Sequence, residues 1–135
     1  MAFRILGGLL GAFFFLQGLG WIVDAEGAAE ALGMPLLDGV ARSTQAGDLT
    51  GFFLCLGGFG LWGAYRQAPT WLRASGFLLL GAAFGRTLAH LVSGADFATQ
   101  FIVIEIVMGG LFFLSAAKVA SADHPDDAAR VASAE

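Results

Sequence analysis

Four long apolar runs alternate with short polar breaks along the chain. The first runs from Phe3 to Val23, the second from about Ala46 to Tyr65, the third from about Trp71 to Val92 and the fourth from about Phe97 to Val119. A helix needs about 20 mainly apolar residues to cross a bilayer core, so the pattern predicts four transmembrane helices (about 3–23, 46–65, 71–92 and 97–119) forming one domain over residues 1–119. The breaks support these limits. Asp24 and Glu26 close the first run; Arg66, Gln67 and Pro69 part the second from the third; Ser93, Gly94 and Asp96 turn the third into the fourth. The stretch 24–45 is too polar to span and forms an outer loop. Within it, Ala28, Ala29, Leu32, Met34, Leu36 and Leu37 suit either an ordinary loop or a surface helix broken at Pro35 and laid on the outer leaflet. Residues 120–135 are Ala-rich and acidic, and a mobile cytoplasmic tail is expected there. Read as a signal peptide, the first run would start at Arg4 and end at small residues near Ala28, but its apolar stretch is long for a signal core.

Composition sharpens this picture. Hydrophobic residues make up 57% of the 135 and charged residues 13%, about half the charged share of a soluble domain. The expected fold is therefore all-α, an integral membrane four-helix bundle. A formal net charge of −4 with Lys118 as the only lysine leaves no basic patch for nucleic acid. Cys55 is the sole cysteine, which excludes an internal disulfide, a CxxC pair and a cysteine-based zinc cluster. The two histidines, His90 and His124, lie far apart, and no ligand spacing suggests a metal site. If four spans alternate, Arg4, Arg66, Arg73 and Lys118 fall on one side. Asp24, Glu26, Glu30, Asp38 and Asp96 fall on the other, with Arg42 the one basic exception. The positive-inside rule then puts both termini in the cytoplasm. Trp21, Trp62, Tyr65 and Trp71 sit near run ends, where interfacial anchors belong.

The candidate chemistry lies in the few polar residues inside the runs. A charge at a helix centre costs about 2.5–3.5 kcal/mol on insertion scales, so such residues face the bundle or water and find partners. Arg86 and His90 share one face of the third helix, Glu105 lies in the fourth, Asp48 opens the second and Gln17 is in the first. At 1.5 Å per residue, Arg86 and Gln17 lie roughly 9 Å from the outer end of their runs and Glu105 roughly 12 Å, with His90 and Asp48 shallower. All five belong to the outer half. Matched depth on antiparallel neighbours makes Arg86 and Glu105 the natural ion pair. Two readings follow: a clasp that fixes helix register, or a wet pocket open to the outer face and lined by Arg86, His90, Glu105 and Asp48. Asp48 is also explained by a place in the first turn of its helix, favoured by the dipole, His90 as a simple hydrogen-bonding residue, and Gln17 by a bond to a neighbouring helix. Asp48, Gly51, Cys55, Gly58 and Trp62 form one stripe, which would turn Cys55 inward. Gly7 and Gly11, Gly47 and Gly51, and Gly81 and Gly85 have the spacing that lets helices approach closely, inside the bundle or across a dimer face.

With the Gly18-containing end of the first helix, the Gly47 to Gly58 second helix, Gly85-Arg86, the Gly94 turn and Glu105, the chain over about residues 5 to 118 resembles the small bacterial membrane proteins of the DoxX-like clan. The resemblance implies a four-helix bundle in the bacterial inner membrane. Some DoxX-like proteins are associated with quinone-linked sulfur oxidation, and others are membrane partners of redox enzymes. No cofactor motif or catalytic constellation accompanies it here. The expected function is therefore non-catalytic: an accessory subunit, or a binder of a small lipid-like ligand through the outer polar cluster. The alternatives are a quinone-linked oxidoreductase subunit, with His90 and Glu105 on the quinone head, and a small transporter. No cofactor of its own is expected, and a bound quinone or lipid is the candidate ligand. The partners are the bilayer, another membrane subunit, or a second copy through glycine faces.

Overall fold

The computed structural model describes residues 1–123, all of whose regular structure is helical. Helix α1 spans Ala2–Val23, the short α2 Ala25–Ala31, α3 Gly39–Arg66, α4 Pro69–Ser93 and α5 Thr99–Asp123. The four long helices pack side by side as an antiparallel bundle, with α3 against both α1 and α4, and α5 against both α4 and α1. Local chemistry fixes the ends. Pro69 opens α4, where its missing N–H costs nothing. Gly94 closes α4 in the left-handed region at φ 68°, where a residue with a Cβ would be strained. Asp24 ends α1 and caps α2, its Oδ1 accepting from the Gly27 N–H at 3.0 Å.

Helices α1, α4 and α5 are long and apolar enough to cross a membrane. Their outward faces carry large apolar side chains, among them Leu9, Leu16, Phe77, Phe84 and Leu91. A water-soluble bundle would put polar groups there. The packing between helices is close. A Cβ on Gly11 would lie 2.5 Å from the Leu61 nitrogen, and one on Gly57 would lie 2.6 Å from the Phe15 Cα, so α1 and α3 meet backbone to backbone. The core above and below this crossing is aromatic and aliphatic. Phe14 stacks on Phe53 with centroids 6.2 Å apart and tilts against Phe112 at 6.4 Å, with Leu56 and Leu72 fully buried nearby.

The structure departs from the sequence reading at several points. The segment 24–45 is not a plain loop: α2 folds back on the bundle, with Ala29 fully buried and Leu32, Met34 and Leu36 packed on the core. Helix α3 begins at Gly39, ahead of its apolar stretch, because the turn before it is bonded to its first residues. The Gln45 side chain accepts from the Leu37 N–H at 2.9 Å and donates to the Pro35 carbonyl at 3.0 Å, while Arg42 Nε donates to the Leu37 carbonyl at 2.7 Å. Cys55 is exposed, and Asp48, Gly51 and Trp62 are exposed with it. That stripe faces outward because the opposite face of α3, with Phe53, Leu56, Gly57 and Gly60, takes the contacts with the bundle. Trp21 is buried rather than interfacial. Residues 120–123, expected in the tail, continue α5, and the rest of the expected tail lies outside the described residues. Gly7 and Gly11 are used inside the bundle, whereas Gly47, Gly51, Gly81 and Gly85 have open space beside them.

Candidate functional site

The polar residues on α1, α4 and α5 meet around a hollow within the bundle. Arg86 is seven residues before the end of α4 and Glu105 six residues after the start of α5, so the antiparallel turn at Gly94 brings them level. Arg86 Nε donates to Glu105 Oε1 at 2.8 Å. The Arg86 guanidinium carbon also sits 4.9 Å from the Phe101 ring centre, one turn before Glu105 on α5. Glu105 is 91% buried, its relative exposure being 9%. Its second oxygen, Oε2, is sealed from solvent and has no hydrogen-bond partner among the described residues. A buried carboxylate oxygen without a donor is costly, so this atom marks the point where the bundle is chemically incomplete.

The pair borders a cavity of about 340 Å³. Gln17 of α1 reaches the same cavity, and its side-chain amide bonds to none of the described residues. The remaining wall is apolar: Phe14, Phe52, Phe53, Leu79, Ala82 and Ile104 belong to it. Ala31 and Leu32, at the end of α2, close one side. Every helix of the fold therefore contributes to the wall. The volume falls at the low end of the range for small-ligand pockets. An ion pair beside it lies in a low-dielectric setting, where a hydrogen bond to either partner counts for more than it does in water.

Two of the residues expected in this cluster are elsewhere. His90 is exposed, and its Nδ1 donates to the Ala95 carbonyl at 2.7 Å while its ring meets Phe97 edge-on at 5.2 Å. It staples the α4–α5 turn and does not line the cavity. Asp48 is exposed on the outward face of α3. Its explanation as a first-turn acid also fails, because α3 begins at Gly39 and has no acid in its first turn. Among the described residues, no three His, Cys, Asp or Glu side chains gather where they could hold a metal ion. Ala82 and Phe101 each precede a charged partner by four residues, on the same helical face, and that spacing was the available signal for them. Two buried hydroxyls lacked any signal. Ser75 Oγ donates to the Leu56 carbonyl at 2.8 Å, and Ser115 Oγ is fully buried without a partner among the described residues. At the opposite end of the bundle a second hollow, of about 250 Å³, is bordered by Phe3, Arg4, Gln67 and Lys118.

No protein-family model matches the chain, and no curated protein or solved structure matches it.

Proposed function

We propose that this chain is a non-catalytic, multi-pass protein of the bacterial inner membrane, a relative of the DoxX-like clan. It binds a small lipid-like ligand through Arg86, Glu105 and Gln17, alone or as an accessory subunit of a larger assembly. The observation that carries this reading is the cavity itself: an apolar chamber bordered by an ion pair, one of whose oxygens has no partner among the described residues. A clasp that served only to fix helix register would pack dry around both charges. A polar head meeting Arg86 and Glu105 and an apolar body lying among Phe14, Phe52 and Phe53 would complete both halves of the site.

Helix α3 is the fourth span in this reading. Its glycines and Asp48 dilute its hydropathy, but it packs between α1 and α4 and must share their depth. At 1.5 Å per residue its 28 residues are roughly 42 Å long, more than the ~30 Å hydrocarbon core. The surplus at its start lifts Asp38 and Arg42 clear of lipid. Arg4, Arg66, Arg73 and Lys118 then face the cytoplasm with both termini, and the α2 end faces outward. The quinone-linked alternative called on His90 and Glu105 together, and His90 is turned to Ala95 instead. Transport within one bundle would need a polar path to the other face, and the polar cavity wall lies in one half only.

The test is native mass spectrometry of the protein after mild detergent extraction. Wild-type protein should retain a lipid-sized adduct, and Ala82→Phe, which fills the cavity, should lose it at an unchanged thermal midpoint. Equal adduct occupancy in the two proteins would refute the reading.

A further inference from the structure

We propose that the second hollow, at the cytoplasmic end of the bundle in the topology above, binds the phosphate of an anionic phospholipid, a phosphodiester head such as that of a phosphatidylglycerol. This rests on the membrane-spanning arrangement proposed above and not on the ligand assigned to the outer-half cavity. The hollow, of about 250 Å³, forms where the first turn of α1 and the last part of α5 meet the turn between α3 and α4. Arg4 comes from α1, Lys118 from α5 and Gln67 from the turn. Two cations thus border it, and no described carboxylate does. Neither cation makes an ion pair with a described residue. Helix energetics account for neither position. Arg4 lies in the first turn of α1, where the helix dipole disfavours a cation. Lys118 lies before the last turn of α5, where the pull of the dipole has faded.

Position and charge together select the ligand. Lys118 Nζ sits 6.0 Å from the centre of the Phe3 ring, so an aromatic face holds the cation at the border of the hollow. Gln67 closes α3 in the left-handed region at φ 53°, a conformation that glycine adopts more readily. Its side chain bonds to no described residue and brings an amide N–H to the same hollow. Two cations and an amide donor suit a phosphate, whose oxygens accept from all three. The helix faces next to the hollow are apolar. Leu114, one turn deeper than Lys118 on the same side of α5, is exposed, as are Ile5 and Leu9 on α1. A head in the hollow can therefore lay its acyl chains on surface already turned to lipid, a gain closed to a free phosphate. A zwitterionic phospholipid carries the same phosphate, but its ammonium would follow into a site whose charged side chains are both cationic, with no described carboxylate to receive it. A preference for net negative charge is thus the signature of the site.

The experiment compares two probes with the same acyl chains, dioleoylphosphatidylglycerol and dioleoylphosphatidylethanolamine. Each is titrated into the detergent-purified full chain, and occupancy is read by native mass spectrometry. The anionic lipid should bind about tenfold more tightly, the scale set by basic side chains at a membrane surface. Arg4→Gln combined with Lys118→Gln should abolish that preference. Arg66→Gln combined with Arg73→Gln removes two exposed cations at the same end that do not border the hollow, and should keep it. Gln67→Gly should weaken binding of the anionic lipid several-fold and yet raise the thermal midpoint, because glycine accepts the left-handed turn. Ala82→Phe, which fills the outer-half cavity, should leave the preference intact, so this proposal and the reading of that cavity fail separately. Equal binding of the two lipids, or equal loss in the two double variants, would overturn the proposal in favour of unspecific surface attraction. Displacement of the lipid by inorganic phosphate at comparable concentration would overturn it in favour of a free phosphate. A several-fold gain on Asp126→Asn with Asp127→Asn would overturn it in favour of the chain's own acidic end as the occupant.

Discussion

Breaking the Arg86–Glu105 pair from each side should give unequal losses, and the inequality follows from burial. In Arg86→Met, Glu105 is left 91% buried with neither oxygen paired. An uncompensated buried charge of this kind costs about 3–5 kcal/mol. In Glu105→Gln, the new amide oxygen still accepts from Arg86 Nε, and the guanidinium keeps its contact with Phe101 and its 31% side-chain exposure. That loss should be about 1–2 kcal/mol, the scale of one weakened hydrogen bond. In the double variant no charge remains to be buried, and the loss should fall to about 1–3 kcal/mol, below that of Arg86→Met alone. The coupling between the two sites should therefore be about 2 kcal/mol or more, with the double variant more stable than the sum of the singles. The assay is SDS-titrated unfolding in mixed micelles, followed by tryptophan fluorescence. Losses that add to within about 0.5 kcal/mol would refute the reasoning, since independent sites behave that way.

Other parts of the structure give sharper or simpler tests. Gly57→Val should cost about 3 kcal/mol or more, because its Cβ would lie 2.6 Å from the backbone of α1 at Phe15; a normally stable variant would contradict the close crossing of α1 and α3. Gly81→Ala should be nearly neutral, and it stabilises α4 slightly if anything, since nothing lies within 4 Å of the added atom; a loss above about 1 kcal/mol would show that this face is covered in the membrane. Ser115→Ala removes a fully buried hydroxyl with no partner among the described residues and should leave stability unchanged or raise it by up to about 1 kcal/mol, measured by the same unfolding assay. Cysteine labels at Asp38 and Ser121 should react from opposite sides of the membrane, with Asp38 outside, and labelling of both from one side would overturn the topology.

The long helices could be read from the apolar runs because a bilayer imposes a length and leaves few polar interruptions. Punctuation by Asp24, Pro69 and Gly94 fell at helix ends for reasons that are local and chemical. The facing of each helix was harder to read. In a soluble helix a polar stripe points to water, but here, Asp48 apart, both faces of the apolar part of α3 are mostly apolar or small, so the outward stripe through Asp48 and Cys55 was hard to tell from the inward one through Gly57 and Gly60. Depth alone paired Arg86 with Glu105, because two charges at one level on adjacent helices have little choice of partner. Depth failed for His90, whose partner is a backbone carbonyl five residues away in a turn, an acceptor that no side-chain pattern announces. The fold of 24–45 rests on Gln45 reaching back to Pro35 and Leu37, a contact set by the path of the chain rather than by periodicity. The cavity is likewise a sum over all five helices; its polar wall, Arg86, Glu105 and Gln17, had a signature in the sequence, and most of its apolar wall had none.

The most direct test of a lipid-binding chamber is an experimental structure of the full chain in lipid nanodiscs, resolved well enough to show side chains and bound lipid. The account predicts elongated density in the cavity, with its head within hydrogen-bond reach of Glu105 and Arg86 and its body running along Phe14 and Phe52. A chamber collapsed around a closed Arg86–Glu105 pair, with no density beside it, would contradict the account and make the pair a structural clasp.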